Sequence, residues 1–196
     1  MIDAQTAYLR PIKLEDAKDI FEYAQDEDTG PRVGWTPHKN IEETRGLIKN
    51  WLSPQSNEEQ FAIVLKETGR VVGTMGLTNK NKHKSSNAIA NKLVEDGNFV
   101  YEIWITIGRK YWGMGLGTKT IKAMIDYLFE TVGVDIVLTR HYEQNIGSQK
   151  IQERNGLKLI GQYECDKKWY NTDCTTMIVR AKTKEDWKRE KQELVK

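Results

Sequence analysis

EIWITIGRKYWGMGLGTKTIKAMIDYLF, residues 102–129, passes from an apolar β-rich run through three alternating glycines into an amphipathic helix. Glu102 to Ile107 has the isoleucine content and alternation of a strand. From Leu116 to Phe129, the residues Ile121, Ile125 and Leu128 recur at helical spacing and define one apolar face. Between the two stand Gly113, Gly115 and Gly117. Without Cβ atoms to hold a ligand away, consecutive backbone N–H groups can turn inward where the helix N-terminus adds partial positive charge. The unit is an anion cradle of a size that suits a diphosphate.

Two common phosphate loops do not match. A nucleoside triphosphate loop needs Gly-Lys-Ser/Thr, whereas Gly117-Thr118-Lys119 has the order reversed. A dinucleotide fingerprint opens directly from its strand, but Gly108 to Trp112 intervene here and Thr118 takes the place of the last small residue. Asp135 is at a suitable distance for a ribose, yet it starts the next strand instead of ending one.

Outward from this unit, Tyr8 to Pro11 reads as a first strand, and Leu14, Ala17, Ile20, Phe21 and Ala24 as the face of a first helix. Gly30, Pro31, Gly34 and Pro37 argue against regular helix between Asp26 and His38 and leave Trp35 on a loop. Asn40 with Glu43 resembles a capping box for a second helix that ends before Ser53-Pro54. Phe61 to Lys66 and Val71 to Thr78 form a hairpin about Gly69. Residues 79–98 are polar, with Lys80, Lys82, Lys84 and Lys92, and read as a solvated loop or partly helical insertion. After the fourth strand, Phe99 to Ile107, come a fifth strand at Val134 to His141, a short helix from Asn145 to Arg154, a sixth strand at Leu157 to Gln162 and a closing strand at Cys174 to Arg180. Residues 183–196 read as a charged terminal helix or tail in which Trp187 docks.

The chain of 196 residues, 38% hydrophobic, has the size and apolar content of one domain spanning 1–196. Its 30 basic and 28 acidic residues leave a net charge of +2, so no global field argues for nucleic acid or membrane. No leader-like or membrane-length apolar run is present, which implies a cytoplasmic protein. Cys165 and Cys174 stand outside any metal-binding spacing, and His38, His83 and His141 are scattered, so no metal is expected.

The 102–129 segment followed by NIGSQKIQERNGLKLIG (145–161) resembles the GNAT acyl-coenzyme A transferases, and in particular the branch with the RimJ and RimL N-terminal acetyltransferases. LRPIKLEDAKDIF, VGWTPHKNIEETRGLI and WYNTDCTTMIV extend the resemblance over most of the chain. It implies a mixed α/β fold. The sheet would be mostly antiparallel, of about seven strands, splayed between strands four and five and flanked by helices. It implies acetyl-coenzyme A as cofactor. Trp112 falls on the first position of the family's Q/R-x-x-G-x-G/A signature, a departure that this branch often shows. The resemblance assigns the diphosphate to the amides of Gly113, Met114, Gly115, Leu116, Gly117 and Thr118, and the pantetheine arm to backbone groups of Ile105 and Ile107. Asn145 would hold the cofactor near its reactive end.

Acetyl transfer from a thioester to an amine needs a neutral amine, a polarised carbonyl and a hydrogen-bond donor or acid for the thiolate. Glu102, alternating onto the face of Trp104 and Thr106, is the candidate base. The general-acid tyrosine of many family members is replaced by Gln152. Ser148, one helical turn from Asn145, is the candidate donor to the sulfur, with Tyr142 or Tyr170 as substitutes. The family's acceptor site would be walled by Asp26 to His38 with Trp35, and by Glu164 to Tyr170. The expected activity is N-acetylation of a primary amine by direct transfer. A protein N-terminal α-amino group leads; a polyamine or amino-sugar, or binding without turnover, are the alternatives. The expected partner is thus an amine-bearing peptide or small molecule, with the protein a monomer or homodimer.

Overall fold

The computed structural model describes residues 1–33, 35–83, 87–164 and 175–193. The chain runs β1 (Ile2–Ala4), β2 (Ala7–Pro11), a 3-10 turn (Leu14–Asp16), α1 (Ala17–Ala24), α2 (Thr29–Val33), α3 (Ile41–Trp51), β3 (Glu59–Leu65), β4 (Val71–Asn79) and α4 (Ala88–Glu95). It continues with β5 (Val100–Ile107), α5 (Leu116–Tyr127), β6 (Ile136–Tyr142), α6 (Ile146–Arg154), β7 (Lys158–Glu164), β8 (Thr176–Thr183) and α7 (Lys184–Glu193). The strands form one eight-stranded sheet in the order β1-β2-β3-β4-β5-β6-β8-β7.

Alternation along β3 shows why the sheet is covered on both faces. Ile63 joins Leu9, Met75, Ile103, Ile121, Met124, Ile125 and Leu128 on the α5 side. Its neighbours Ala62 and Val64 join Ile20, Tyr23 and Ile48 on the α1 and α3 side. Burying each such Ile, Leu or Met contributes about 1.5–3 kcal/mol. The apolar stripe that the sequence assigns to α5 is the buried one: Ile121, Ile125 and Leu128 are all within 2% of full burial. Asn40 accepts from the N–H groups of Glu42 and Glu43 and starts α3, so the polar cap fixes where that apolar face begins. In α7, Trp187 donates its indole N–H to Asp126 at 2.7 Å and packs on Phe129.

Among the described residues β5 and β6 are the one parallel pair, and their pairing stops early. Val100 to Ile103 lie opposite Ile136 to Thr139, after which the two strands part. β5 continues along β4 until Ile107 faces Gly73, and β6 continues along β8 until Tyr142 faces Met177. From Trp104 onward β5 therefore has an unpaired edge inside the sheet. This is the splay expected between the fourth and fifth strands, shifted by one number because β1 adds an eighth strand. That strand was not foreseen because its hairpin turn has no glycine: Gln5 takes φ 67, and its N–H donates to Asp3 Oδ1 at 2.7 Å.

Two further expectations are corrected. The segment Asp26 to His38 contains the helix α2, despite Gly30 and Pro31. Asp26 Oδ1 accepts from the Thr29 N–H and hydroxyl at 2.7 and 2.9 Å, and a proline in a first turn lacks only an N–H that would go unbonded anyway. Lys80 is not a solvated loop lysine; its side chain is 9% exposed and pairs with Glu102. The rest of the insertion includes α4, capped by Asn87. Cys165, Cys174 and Tyr170 lie outside the described residues.

Candidate active site

A cleft of about 890 Å³ runs along the splay, lined from β5, β6, the glycine loop, α2, α3 and α6. At one end is the glycine loop. Gly113 and Gly115 have φ 78 and 73, a left-handed backbone that a side chain would strain. Gly117 serves packing instead, since a Cβ there would lie 2.7 Å from Ile151 Cδ1 of α6. The first bonded N–H of this turn is that of Lys119, which donates to the Gly115 carbonyl at 3.1 Å. The preceding amides, Gly113 to Thr118, donate to no backbone carbonyl among the described residues. Two cations of α6, Lys150 and Arg154, line the same cleft and have no ion-pair partner among the described residues.

Trp112 latches this loop to the strand. Its indole N–H donates to the Ile107 carbonyl at 2.7 Å, and the Arg32 guanidinium lies over its ring at 5.4 Å. Ile105 and Ile107 line the cleft from the unpaired edge of β5. Asn145 caps α6 by accepting from the Ser148 N–H at 3.1 Å and reaches across to donate to the Arg32 carbonyl at 3.0 Å. Leu116, Thr118 and Ser148 line the cleft; Met114 is exposed beside it.

At the fork of the splay Glu102 is buried and held by two cations. Lys80 Nζ approaches its Oε2 at 2.8 Å, and the Arg140 guanidinium pairs with its Oε1. Both oxygens are thus committed. Across the fork, Glu58 lines the cleft and meets no cation at ion-pair distance among the described residues; its Oε2 accepts from Gln60 Nε2 at 2.9 Å. Crowding by the cleft walls raises the Glu58 carboxyl above the usual range; Glu102 adds to this, while Gln60, Lys80 and Arg140 oppose it.

The wall beyond the fork is aromatic: Trp35, Trp51 and Trp104, with Leu47 and His38. The Trp35 indole N–H is buried with no acceptor among the described residues. Gly76 makes room for Trp104, for a Cβ there would lie 2.1 Å from its ring. Gly76→Ala should therefore force that ring into the cleft, at a cost of about 1–3 kcal/mol for overpacking. A thermal melt should show the loss, and tryptophan emission should show the displaced ring. Two acids near this wall are tied to a cation: Arg109 pairs with Asp28 and lies 3.9 Å from Asp26.

Sequence reasoning missed Glu58, Lys80, Arg140 and the pair His141 and Gln152. The available signal was charge within apolar strands: Arg140 follows IVLT in β6, where only a buried partner would suit it. Tyr142, offered as a substitute donor, also lines the cleft and packs against Met177 and Tyr163. Among the described residues no group of acids, histidines and cysteines could hold a metal ion, and no helix is long and apolar enough to cross a membrane.

The strand, the left-handed glycine turn and the helix beside the splayed parallel pair form the frame that the resemblance to the acyl-coenzyme A transferases implies, and comparison with known proteins identifies the family. The family model "Acetyltransferase (GNAT) domain" matches residues 7–158. The chain belongs to that family and is an acetyl-coenzyme A-dependent acyltransferase. It is 27% identical over 145 residues to the uncharacterized N-acetyltransferase p20 of Bacillus licheniformis, covering 73% of this chain and 74% of that one. Among solved structures, a GNAT acetyltransferase from Bacillus anthracis superposes with TM-score 0.74 at 19% identity, covering 94% of this chain and 98% of its own. Spermidine N-acetyltransferase from Vibrio cholerae, in complex with coenzyme A and spermine, gives 0.71 at 14% identity, covering 93% and 98%. AAC(6')-Ib in complex with ribostamycin and coenzyme A gives 0.74 at 16% identity, covering 94% and 97%.

The residues present suit a diphosphate-bearing thioester. Helix N-terminal amides offer charge-neutral donors; Lys150 and Arg154, without an ion-pair partner among the described residues, supply the balancing field; and the free edge of β5 offers backbone groups in a strand geometry.

Proposed function

We propose that the protein transfers an acetyl group from acetyl-coenzyme A directly to a primary amine, and that the leading acceptor is a protein N-terminal α-amino group. The bound thioester supplies an activated acetyl group. Amides of Gly113 to Thr118 hold its diphosphate, Ile105 and Ile107 align its arm, and Asn145 steadies the reactive end. Glu102 keeps Lys80 and Arg140 in place at the fork. Glu58, with a free oxygen and a raised carboxyl, takes the amine proton through water. Ser148 donates a hydrogen bond to the departing sulfur. Trp35 and Trp104 wall the acceptor, the buried Trp35 N–H being the donor for an acceptor carbonyl; Tyr170 is kept as an acceptor contact.

The observation that carries the acceptor assignment is the charge pattern beyond the fork. Glu58 is the one cleft-lining carboxylate without a cationic partner among the described residues. A polycation would need several such acids, whereas an α-amino group that titrates near ~8 needs one proton acceptor and an apolar wall for its side chain. The solved relatives with spermine and ribostamycin motivate the second reading, a small polyamine or amino-sugar acceptor.

Thiol release from acetyl-coenzyme A should be measured with a peptide bearing a free N-terminus, the same peptide N-terminally blocked, spermidine and ribostamycin. Turnover on the free peptide alone is expected. Turnover confined to spermidine or ribostamycin overturns the acceptor assignment, and binding without turnover on any amine makes the protein a sensor.

Glu58→Gln gives a pH signature. The raised folded-state pKa means that ionisation of Glu58 opposes folding, so wild-type stability contributed by the neutral form is present below the unfolded value and is lost as pH rises through the folded one. The variant should melt at or above wild type at pH 7 and lose that advantage near pH 4. Its kcat/KM should lack the acid limb.

A further inference from the structure

The residue that replaces the family's tyrosine is part of a buried chain of contacts that ends at Ser148. Gln152 is 1% exposed and His141 4% exposed. Gln152 Nε2 lies 3.3 Å from the Arg140 carbonyl and 3.0 Å from Ser148 Oγ, and His141 Nδ1 lies 2.8 Å from Gln152 Oε1. These contacts permit one assignment of hydrogens. A backbone carbonyl can only accept, so the Gln152 nitrogen must face Arg140 and its oxygen must face His141. An amide oxygen can only accept, so His141 carries its hydrogen on Nδ1. The Gln152 N–H then points at Ser148 Oγ, which accepts it.

We infer that Gln152 is a positioning residue for the reaction: by donating to Ser148 Oγ it occupies an oxygen lone pair and leaves the serine O–H to point into the cleft as a donor. This deepens the proposed role of Ser148 and rests on it. A helical serine otherwise turns its hydroxyl back to the carbonyl one turn before, where the proton is unavailable to a ligand. Here the Gln152 N–H takes one lone pair of the oxygen, and among the described residues the Ser148 hydroxyl makes no such bond to a carbonyl. His141 is the anchor of the sequence; burial holds its imidazole below the usual histidine range, with Arg180 adding to this and Gln152 and Glu153 opposing it, so it stays neutral at pH 7. The missing tyrosine is thus not simply a lost acid. The glutamine in its place converts a weak hydroxyl into an oriented one.

Two measurements test this. Nitrogen-15 correlation spectra of wild-type protein should show His141 as the Nδ1–H tautomer; the Nε2–H tautomer would reverse the amide and overturn the inference. For kinetics, Gln152→Glu keeps an acceptor for His141 but cannot donate to Ser148, and Gln152→Leu removes both contacts. Each should lower kcat about tenfold with KM for acetyl-coenzyme A held within twofold, and neither should lower kcat further in a Ser148→Ala background. Additive losses in that cycle, or a Gln152→Glu variant with wild-type kcat, contradict the inference. Should the free peptide not be an acceptor, the tautomer result still stands by itself, which separates this claim from the acceptor assignment.

Discussion

Gly115→Glu is expected to weaken acetyl-coenzyme A binding by roughly 100-fold, about 2.7 kcal/mol, while the protein still folds. The two effects separate because of local geometry. In the folded protein a Cβ at this position meets only Lys119 Cε at 4.0 Å, so the sole structural penalty is the left-handed backbone, about 1–2 kcal/mol. For a chain of this size that lowers the melting temperature by about 2–8 °C. Binding suffers more, because Gly115 is the residue from which α5 starts. A carboxylate there competes for the same N–H donors and repels the diphosphate. Calorimetric titration with acetyl-coenzyme A checks the affinity. Unchanged affinity in a folded variant means that the diphosphate lies elsewhere.

Glu102→Gln should produce the largest loss of stability of the substitutions considered. Glu102 is 2% exposed and stands between Lys80, itself 9% exposed, and Arg140, 28% exposed. Removing one carboxylate leaves two cations facing each other at the fork, and a buried pair broken in this way costs about 3–5 kcal/mol. Arg140 can turn partly to water, which places the expectation near 3 kcal/mol, or about 6–12 °C in Tm. Adding Lys80→Met should recover part of the loss by removing one orphaned charge. A Glu102→Gln variant with wild-type Tm would show that the three side chains are not paired in solution.

How much of this was legible in the sequence differs by element. The glycine loop and the longer helices are readable because their signals are local: a left-handed turn needs glycine, and an amphipathic face repeats every three to four residues. Leu116 as the start of α5, Asn40 as a cap and the docking of Trp187 all follow from such local rules. β1 was hidden because Gln5 adopts a glycine-like conformation without being glycine. α2 was hidden because Asp26, three residues upstream, supplies the cap that outweighs Gly30 and Pro31. The charged fork was hidden for a different reason. Lys80, Glu102 and Arg140 come from three separate segments, and nothing within any one of them reveals that the sheet brings them together. Likewise the partners of Gln152, His141 and the Arg140 carbonyl, lie on β6, and nothing near Gln152 in the sequence points to them.

The central claim is that the backbone donors from Gly113 to Thr118 grip the phosphorylated end of acetyl-coenzyme A. Amide proton and nitrogen shifts, followed residue by residue as acetyl-coenzyme A is added to wild-type protein, test it directly. The amides of residues 113–118 should move most, with Asn145 and Ser148 moving as well. Saturable binding that leaves residues 113–118 unmoved would contradict it.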